Sequence, residues 1–152
     1  MDSQIHAAFR EFIVGVARDC GLPDPLWEND VKCNDDYLKN CPDELIWVVR
    51  YLGPSRAISA CKSTEAVGQF QLSLYAKAGC GTEKLYRASD CLICAIEDAC
   101  RINHHERKNR PVTLILSGLG NTLPTTGQII PGDPSGRVLL PITVPFRAFY
   151  CC

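Results

Sequence analysis

Hydrophobic and polar residues alternate along this chain with two different periods. Between residues 3 and 18 the apolar positions recur at steps of three and four, which predicts an amphipathic helix that Asp2 or Ser3 can cap. A second helix is predicted from about Thr82 to Ile102, with Thr82 as its cap. Its buried stripe is expected to consist of Leu85, Ala88, Leu92, Ala95, Ile96 and Ala99.

Four other segments show the patterns of β-strands. Residues 45–52 carry bulky side chains on both faces, which favours an inner position, and 67–77 alternate between a dry face and a wetter one. Residues 111–117 form a third predicted strand and 137–150 a fourth, with 53–66 as a connection. The order α-β-β-α-β-β predicts an α+β fold, a four-stranded, mainly antiparallel sheet with two helices packed on one face.

The last predicted strand contains two prolines, Pro141 and Pro145. Because successive N–H groups of a strand point to opposite sides, these prolines leave one side short of hydrogen-bond donors. We therefore expect 137–150 to be an edge strand whose outer margin resists further pairing. The even positions from Val138 to Tyr150 are almost uniformly apolar, which predicts that they face the core. Leu139 and Phe149 keep the opposite face partly apolar, which predicts that this face is buried against a partner.

A stretch rich in glycine and proline, residues 118–136, separates the last two predicted strands. It is long for a loop in a compact domain, and such loops are often functional. Ile129 and Ile130 lie within it and are expected to be exposed.

Size and composition limit the possible functions. The 152 residues are enough for a single domain, 1–152, with a substantial core, so folding requires neither a disulfide nor a metal. The net charge of −1 provides no long-range attraction to nucleic acid or to an anionic membrane. No signal peptide or membrane-spanning stretch is recognisable, which favours folding in a cytoplasm.

Ten cysteines are spread irregularly along the chain. In a reducing compartment this pattern favours mostly free thiols over a disulfide framework. The stretch CLICAIEDACRINHH leaves open a metal or redox domain that uses Cys91, Cys94 and Cys100. Against it, helical periodicity places Cys100 on a different side from Cys94, and a mid-helix pair lacks the helix start that lowers a thiol pKa.

The remaining motifs supply no catalytic constellation. The stretch SGLGNT lacks the third glycine of a dinucleotide fingerprint, and Pro124 follows where a helix would have to begin. The basic run HHERKNR (104–110) could contact phosphates, although such a run is usually a solvated turn. We therefore expect no enzyme, no cofactor and no metal.

Three segments carry a resemblance to a known family. They are LPDPLWEND after the first helix, GQFQLSLYAKAGCGTEKLYRASDCLICAIED, and the closing VLLPITVPFRAFY. Together with the order of elements they resemble the tail terminator (tail completion) proteins of long-tailed bacteriophages, the lambda-type minor tail protein family. The resemblance covers roughly residues 5–30 and 67–150, and the ten cysteines and the long 118–136 segment depart from it.

The resemblance implies a structural virion protein that is assembled in the bacterial cytoplasm. It would form a homo-oligomeric ring, usually a hexamer, that caps the tail tube, stops its polymerisation and offers the attachment surface for the head connector (stopper) protein. DNA would pass through the ring only in transit, and no membrane would be involved. A head-closure or connector-adaptor protein of the head–tail junction is the alternative. The expected contact residues with tube or neighbouring subunit are Ile129, Ile130, Leu139, Pro141, Pro145, Arg147 and Phe149.

Overall fold

The computed structural model describes residues 2–28, 44–60, 63–79, 82–104, 112–117, 123–131 and 136–151. Within these ranges there are two helices, α1 (Asp2–Asp19) and α2 (Glu83–Ala99), and seven strands. The strands are β1 (Leu26–Trp27), β2 (Leu45–Ala60), β3 (Ser63–Lys77), β4 (Arg101–His104), β5 (Val112–Ile115), β6 (Thr125–Thr126) and β7 (Arg137–Cys151).

The seven strands form one sheet that curls into a half-barrel, with the order β1-β2-β3-β7-β5-β4 and with β6 paired to β7. Every pair is antiparallel except β1 and β2, which are parallel. The prediction of a four-stranded sheet is therefore wrong. It missed β1, β4 and β6, which have only two to four residues each and are too short to show a period.

Strands β2 and β3 extend into the predicted connection at 53–66. Gly53 has a φ of 68°, and the register between the two strands shifts on both sides of Pro54. This dipeptide therefore forms a bulge inside one long hairpin. Bulges and connections between strands use the same residue types, so the sequence pattern indicated a connection here.

Gly68, which lies opposite this bulge, should tolerate no side chain. A Cβ atom at Gly68 would lie 2.2 Å from the Gly53 carbonyl oxygen and 2.7 Å from Phe146 Cζ. Because a backbone oxygen cannot swing aside, we expect Gly68→Ala to lower the free energy of unfolding by about 3 kcal/mol in urea denaturation. Gly15→Ala is the matched control: a Cβ there meets no atom within 4 Å, and alanine in this helix should add about 1 kcal/mol. Equal effects of the two substitutions would contradict the steric explanation.

Both helices pack on the same face of the sheet and share one core with it. Phe9 of α1 stacks on Phe70 of β3 with ring centroids 3.7 Å apart, and Phe70 lies 5.1 Å from Phe146 of β7. Trp47 of β2 is fully buried, and its Nε1–H donates a hydrogen bond of 2.7 Å to the Pro23 carbonyl. This bond ties the connection after α1 to the sheet.

Strand β7 is a central strand, so the prediction of an edge strand is wrong. It pairs with β3 over its whole length on one side and with β5 and β6 on the other. Pro145 falls between the positions that pair with β5 and those that pair with β6. Pro141 contributes only its carbonyl, which accepts the Gly127 N–H at 2.8 Å. Both prolines thus lie at positions where the β5 and β6 side of β7 needs no backbone N–H donor. They interrupt the pairing on this side of β7 but do not end it.

The expectation of free thiols is wrong for Cys20 and Cys91, which form a disulfide with their Cα atoms 6.0 Å apart. The bond joins the residue after α1 to the surface of α2. Cys94 and Cys100 are free and exposed. Because Cys91 is bonded to another sulfur, it cannot serve as a thiolate ligand, and the described residues contain no group of three or more His, Cys, Asp or Glu that could hold a metal.

Candidate functional site

The sheet face turned away from the helices contains most of the predicted contact residues. Along β7 the even positions from Leu140 to Ala148 are fully buried in the core, so the odd positions point to the other side. We call this other side the outer face. On β7 it consists of Leu139, Pro141, Thr143, Pro145, Arg147 and Phe149, all half-buried.

One row of residues across the outer face is apolar from strand to strand. Ile130 is bridged to Leu139, Leu139 pairs with Tyr75 of β3, and Tyr75 pairs with Ile46 of β2. We call these four residues the apolar row; with strands about 4.8 Å apart it is about 14 Å wide. Ile46 is covered by Tyr75 and Leu26, whereas Ile130 keeps 47% of its surface exposed. The exposed part of the row therefore lies at its β7 end.

The segment 123–131, part of the predicted long loop, is fixed to the sheet. Its strand β6 pairs with β7, and Ile130 exchanges two backbone hydrogen bonds with Leu139, at 2.8 and 3.0 Å. The hydroxyls of Ser89 on α2 and Thr126 lie 3.1 Å apart. Ile129 is half-buried against the core, where exposure was expected, and Ile130 is exposed. The segment therefore presents Ile130 on a framework held from two sides.

The end of the outer face remote from the apolar row is charged. Arg147 Nε donates a hydrogen bond of 2.8 Å to Glu65 Oε1, and the Arg147 guanidinium carbon lies 5.6 Å from the centroid of the Phe149 ring. Gln71 and Ser73 of β3 separate this end from the apolar row. Arg147 and Phe149 are thus engaged with their own chain, and the outer face combines an apolar end with a charged one.

A cluster of rings that the sequence pattern did not single out joins α1 to β1 and β2. The His6 ring lies 5.0 Å from the Trp27 ring and 6.2 Å from the Tyr51 ring, and the Arg10 guanidinium carbon lies 5.1 Å from the Trp27 centroid. Burial, and then the positive charge of Arg10, lower the pKa of His6 below its ordinary value of 6.5. At neutral pH His6 is therefore an uncharged packing group.

Stability should consequently fall as the pH is lowered through about 6.5. The unfolded chain takes up a proton at His6 more readily than the folded chain, whereas above this pH the imidazole is neutral in both states. The loss of urea midpoint between about pH 7.5 and about pH 5.5 should be smaller in His6→Gln than in the wild type. Arg10→Gln removes the nearby positive charge but not the burial of His6, so it should reduce this loss of urea midpoint only in part. Equal losses in the wild type and His6→Gln would refute the assignment.

Two of the motifs weighed in the sequence lie largely outside the described residues. Of SGLGNT only Ser117 is described, and of the basic run only His104. The side chains of Cys151 and Cys152, the last two of the ten cysteines, also lie outside the description. Within the described part of the chain, neither helix is long and apolar enough to cross a membrane.

Comparison with known proteins establishes a similarity of fold only. No protein-family model matches the chain, and no curated protein does. Five chains of solved structure match. One of them, a protein known by a sequence identifier, covers 100% of this chain and 96% of its own length with a TM-score of 0.65 and 17% sequence identity. At 17% sequence identity this likeness establishes that the two proteins share a fold, and it carries no information about a shared function.

Proposed function

We propose that this protein is a structural protein of a bacteriophage tail that forms a ring, caps the tail tube and stops its polymerisation. The proposal rests on two supports. The resemblance of the sequence to lambda-type tail terminator proteins suggests the assembly, and the apolar row suggests the surface that holds it together. The apolar row is the structural observation that carries the proposal, because a ring subunit needs an exposed surface that binds a copy of itself.

The properties of the apolar row fit a permanent contact between proteins. An apolar stretch next to polar and charged positions is typical of the centre of an interface with its rim. Ile130 leaves 47% of its surface in water, and burying apolar surface contributes about 25 cal/mol per Å². The backbone of the row is held by neighbouring strands, so little conformational freedom is lost on binding.

The apolar row is assigned to the contact between neighbouring subunits. A ring closes when this surface meets a different surface of the next copy, because head-to-tail contacts of this kind repeat around an axis. The resemblance indicates six copies. The two open faces of the ring would then bind the tail tube protein and the head connector, and DNA would pass through the lumen only in transit.

Electron microscopy of the protein mixed with the tail tube protein of its own phage tests the proposal. We expect a ring on one end of the tubes and tubes that stop growing when the protein is added. Uncapped tubes of unchanged length would overturn the proposal. Rings that do not bind the tubes but bind the portal complex would favour a head-closure or connector-adaptor protein.

A further inference from the structure

The Cys20–Cys91 disulfide lies between two parts of the molecule that are each held separately. Cys20 is half-buried at the end of α1, and Cys91 is exposed on α2. The chain after Cys20 is attached to the sheet by the Trp47–Pro23 hydrogen bond and by the pairing of β1 with β2. Helix α2 is attached through its own buried side, which packs into the common core. The disulfide links these two attachments covalently.

The disulfide also borders an open cleft of about 250 Å³. The cleft is lined by Cys20, Leu22, Glu44, Leu45, Lys84, Arg87 and Ala88. A Lys84–Glu44 ion pair joins α2 to the residue before β2, but both side chains are more than half exposed. Leu22 and Leu45 pack against the common core, and exposed ion pairs contribute little to stability, so the disulfide is the stronger of the two side-chain links to α2 at this cleft.

We propose that the Cys20–Cys91 disulfide is a redox latch on this cleft. When the bond is present, Cys20, Gly21 and Leu22 are held against α2. When it is reduced, these three residues, which lie between the end of α1 and the attachment at Pro23, move away from α2 and the cleft opens. The proposal is independent of the proposed function, because it depends only on the disulfide and on the packing around it.

The reductant is a dithiol, and it attacks at Cys91 Sγ, because Cys91 is exposed whereas Cys20 is half-buried. One thiolate of the dithiol attacks Cys91 Sγ, the bond to Cys20 breaks, and its electron pair leaves on Cys20 Sγ, which takes a proton from water. The second thiolate then attacks the first sulfur of the dithiol and releases Cys91 as a thiolate, which is protonated in turn. The dithiol becomes a cyclic disulfide, and two electrons pass to the protein.

The opening should remain local, because both helices keep their buried side chains after reduction. Phe9 of α1 and Leu92 of α2 are fully buried in the core shared with the sheet. The amides that report on the latch are those of Gly21 and Leu22, whose N–H groups close the end of α1 on the carbonyls of Arg18 and Ala17, at 3.1 and 2.8 Å. These hydrogen bonds break when the segment after Cys20 moves.

Native-state hydrogen exchange of the whole protein, followed by NMR with and without dithiothreitol, tests the latch. We expect the Gly21 and Leu22 amides to exchange at least ten times faster after reduction, at a rate that low urea concentrations hardly change. Exchange at the centres of β3 and β7 should depend steeply on urea, which is the sign of global unfolding.

Two double variants serve as controls. In Cys20→Ser/Cys91→Ser the Gly21 and Leu22 amides should be fast with or without reductant, and in Cys94→Ser/Cys100→Ser, which keeps the disulfide, they should respond like the wild type. Unchanged exchange at Gly21 and Leu22 on reduction would overturn the latch. The same urea dependence at these amides as in β3 and β7 would overturn it as well, because the bond would then act only on the fold as a whole.

Discussion

Removal of the Cys20–Cys91 disulfide should lower the free energy of unfolding by about 4 kcal/mol. The bond links residues 71 positions apart, and a cross-link over such a distance excludes most of the conformations that the unfolded chain could otherwise adopt. The expected effect is therefore several times that of an average surface substitution. Urea denaturation of Cys20→Ser/Cys91→Ser beside the oxidised wild type measures it, and the double substitution avoids leaving a single reactive thiol.

The matched control for this experiment is Cys94→Ser/Cys100→Ser. Both thiols are free and exposed, and the Cys100 Sγ donates a hydrogen bond of 3.0 Å to the Glu97 carbonyl, which a serine hydroxyl can also make. Its change in free energy of unfolding should stay within about 0.5 kcal/mol. A reduced wild type that unfolds at the same urea concentration as the oxidised protein would contradict the stabilising role of the bond.

This disulfide illustrates what a sequence alone could not reveal. Cys20 and Cys91 share no local pattern, and only the packing of α1 beside α2 brings their sulfurs together. The argument from a reducing compartment concerns the average protein and cannot select one pair among ten cysteines. Pairing of this kind is a consequence of the tertiary structure.

The helices, by contrast, could be located from the sequence to within a few residues. Their period of 3.6 residues continues over several turns, so the pattern is repeated often enough to be distinguished from chance. The end of α2 was placed too late, because Ile102 continues the apolar period. In the structure Cys100 has a φ of 55°, which ends the helix, and Ile102 belongs to β4. A change of backbone direction at one residue does not alter the spacing of the apolar residues, so the sequence pattern could not show where α2 ends.

The sheet was harder to predict, because the same residues fit two arrangements. Pro141 and Pro145 would suit an edge strand, and they equally suit a central strand whose neighbours on one side are short. Which of these applies depends on where β5 and β6 end, and neither is long enough to predict its own bounds. The number of strands therefore came out too small.

The outer face was partly predictable. The alternation along β7 correctly separated the core side from the other side, because every even position from Leu140 to Ala148 is fully buried. The apolar row was not predictable from alternation, since it depends on the register that brings Ile130 beside Leu139. The turn-forming residues between them in the sequence, PGDPSG (131–136), were the signal that could have indicated a hairpin.

Leu139→Glu should weaken the proposed self-association of the protein at least about 100-fold. Leu139 lies in the apolar row between Ile130 and Tyr75, so it would be surrounded by apolar groups when a second copy covers the row. A carboxylate without a partner costs several kcal/mol to remove from water, which is enough to dissociate a ring. In the separate subunit the new side chain points to solvent, so the fold should persist with a loss of about 1 kcal/mol.

Thr143→Glu is the matched control, because it places the same charge on the same face of the same strand. Thr143 pairs with Gln71 and Thr125, away from the apolar row, so its substitution should leave association within about three-fold of the wild type. Sedimentation velocity of the three proteins over a range of concentrations compares them directly. Equal weakening of self-association by both substitutions would show that the whole outer face is buried in the contact between subunits. The apolar row would then contribute no more to this contact than the rest of the face. An unchanged oligomer in Leu139→Glu would remove the row from the interface and, with it, the structural support for the proposed ring.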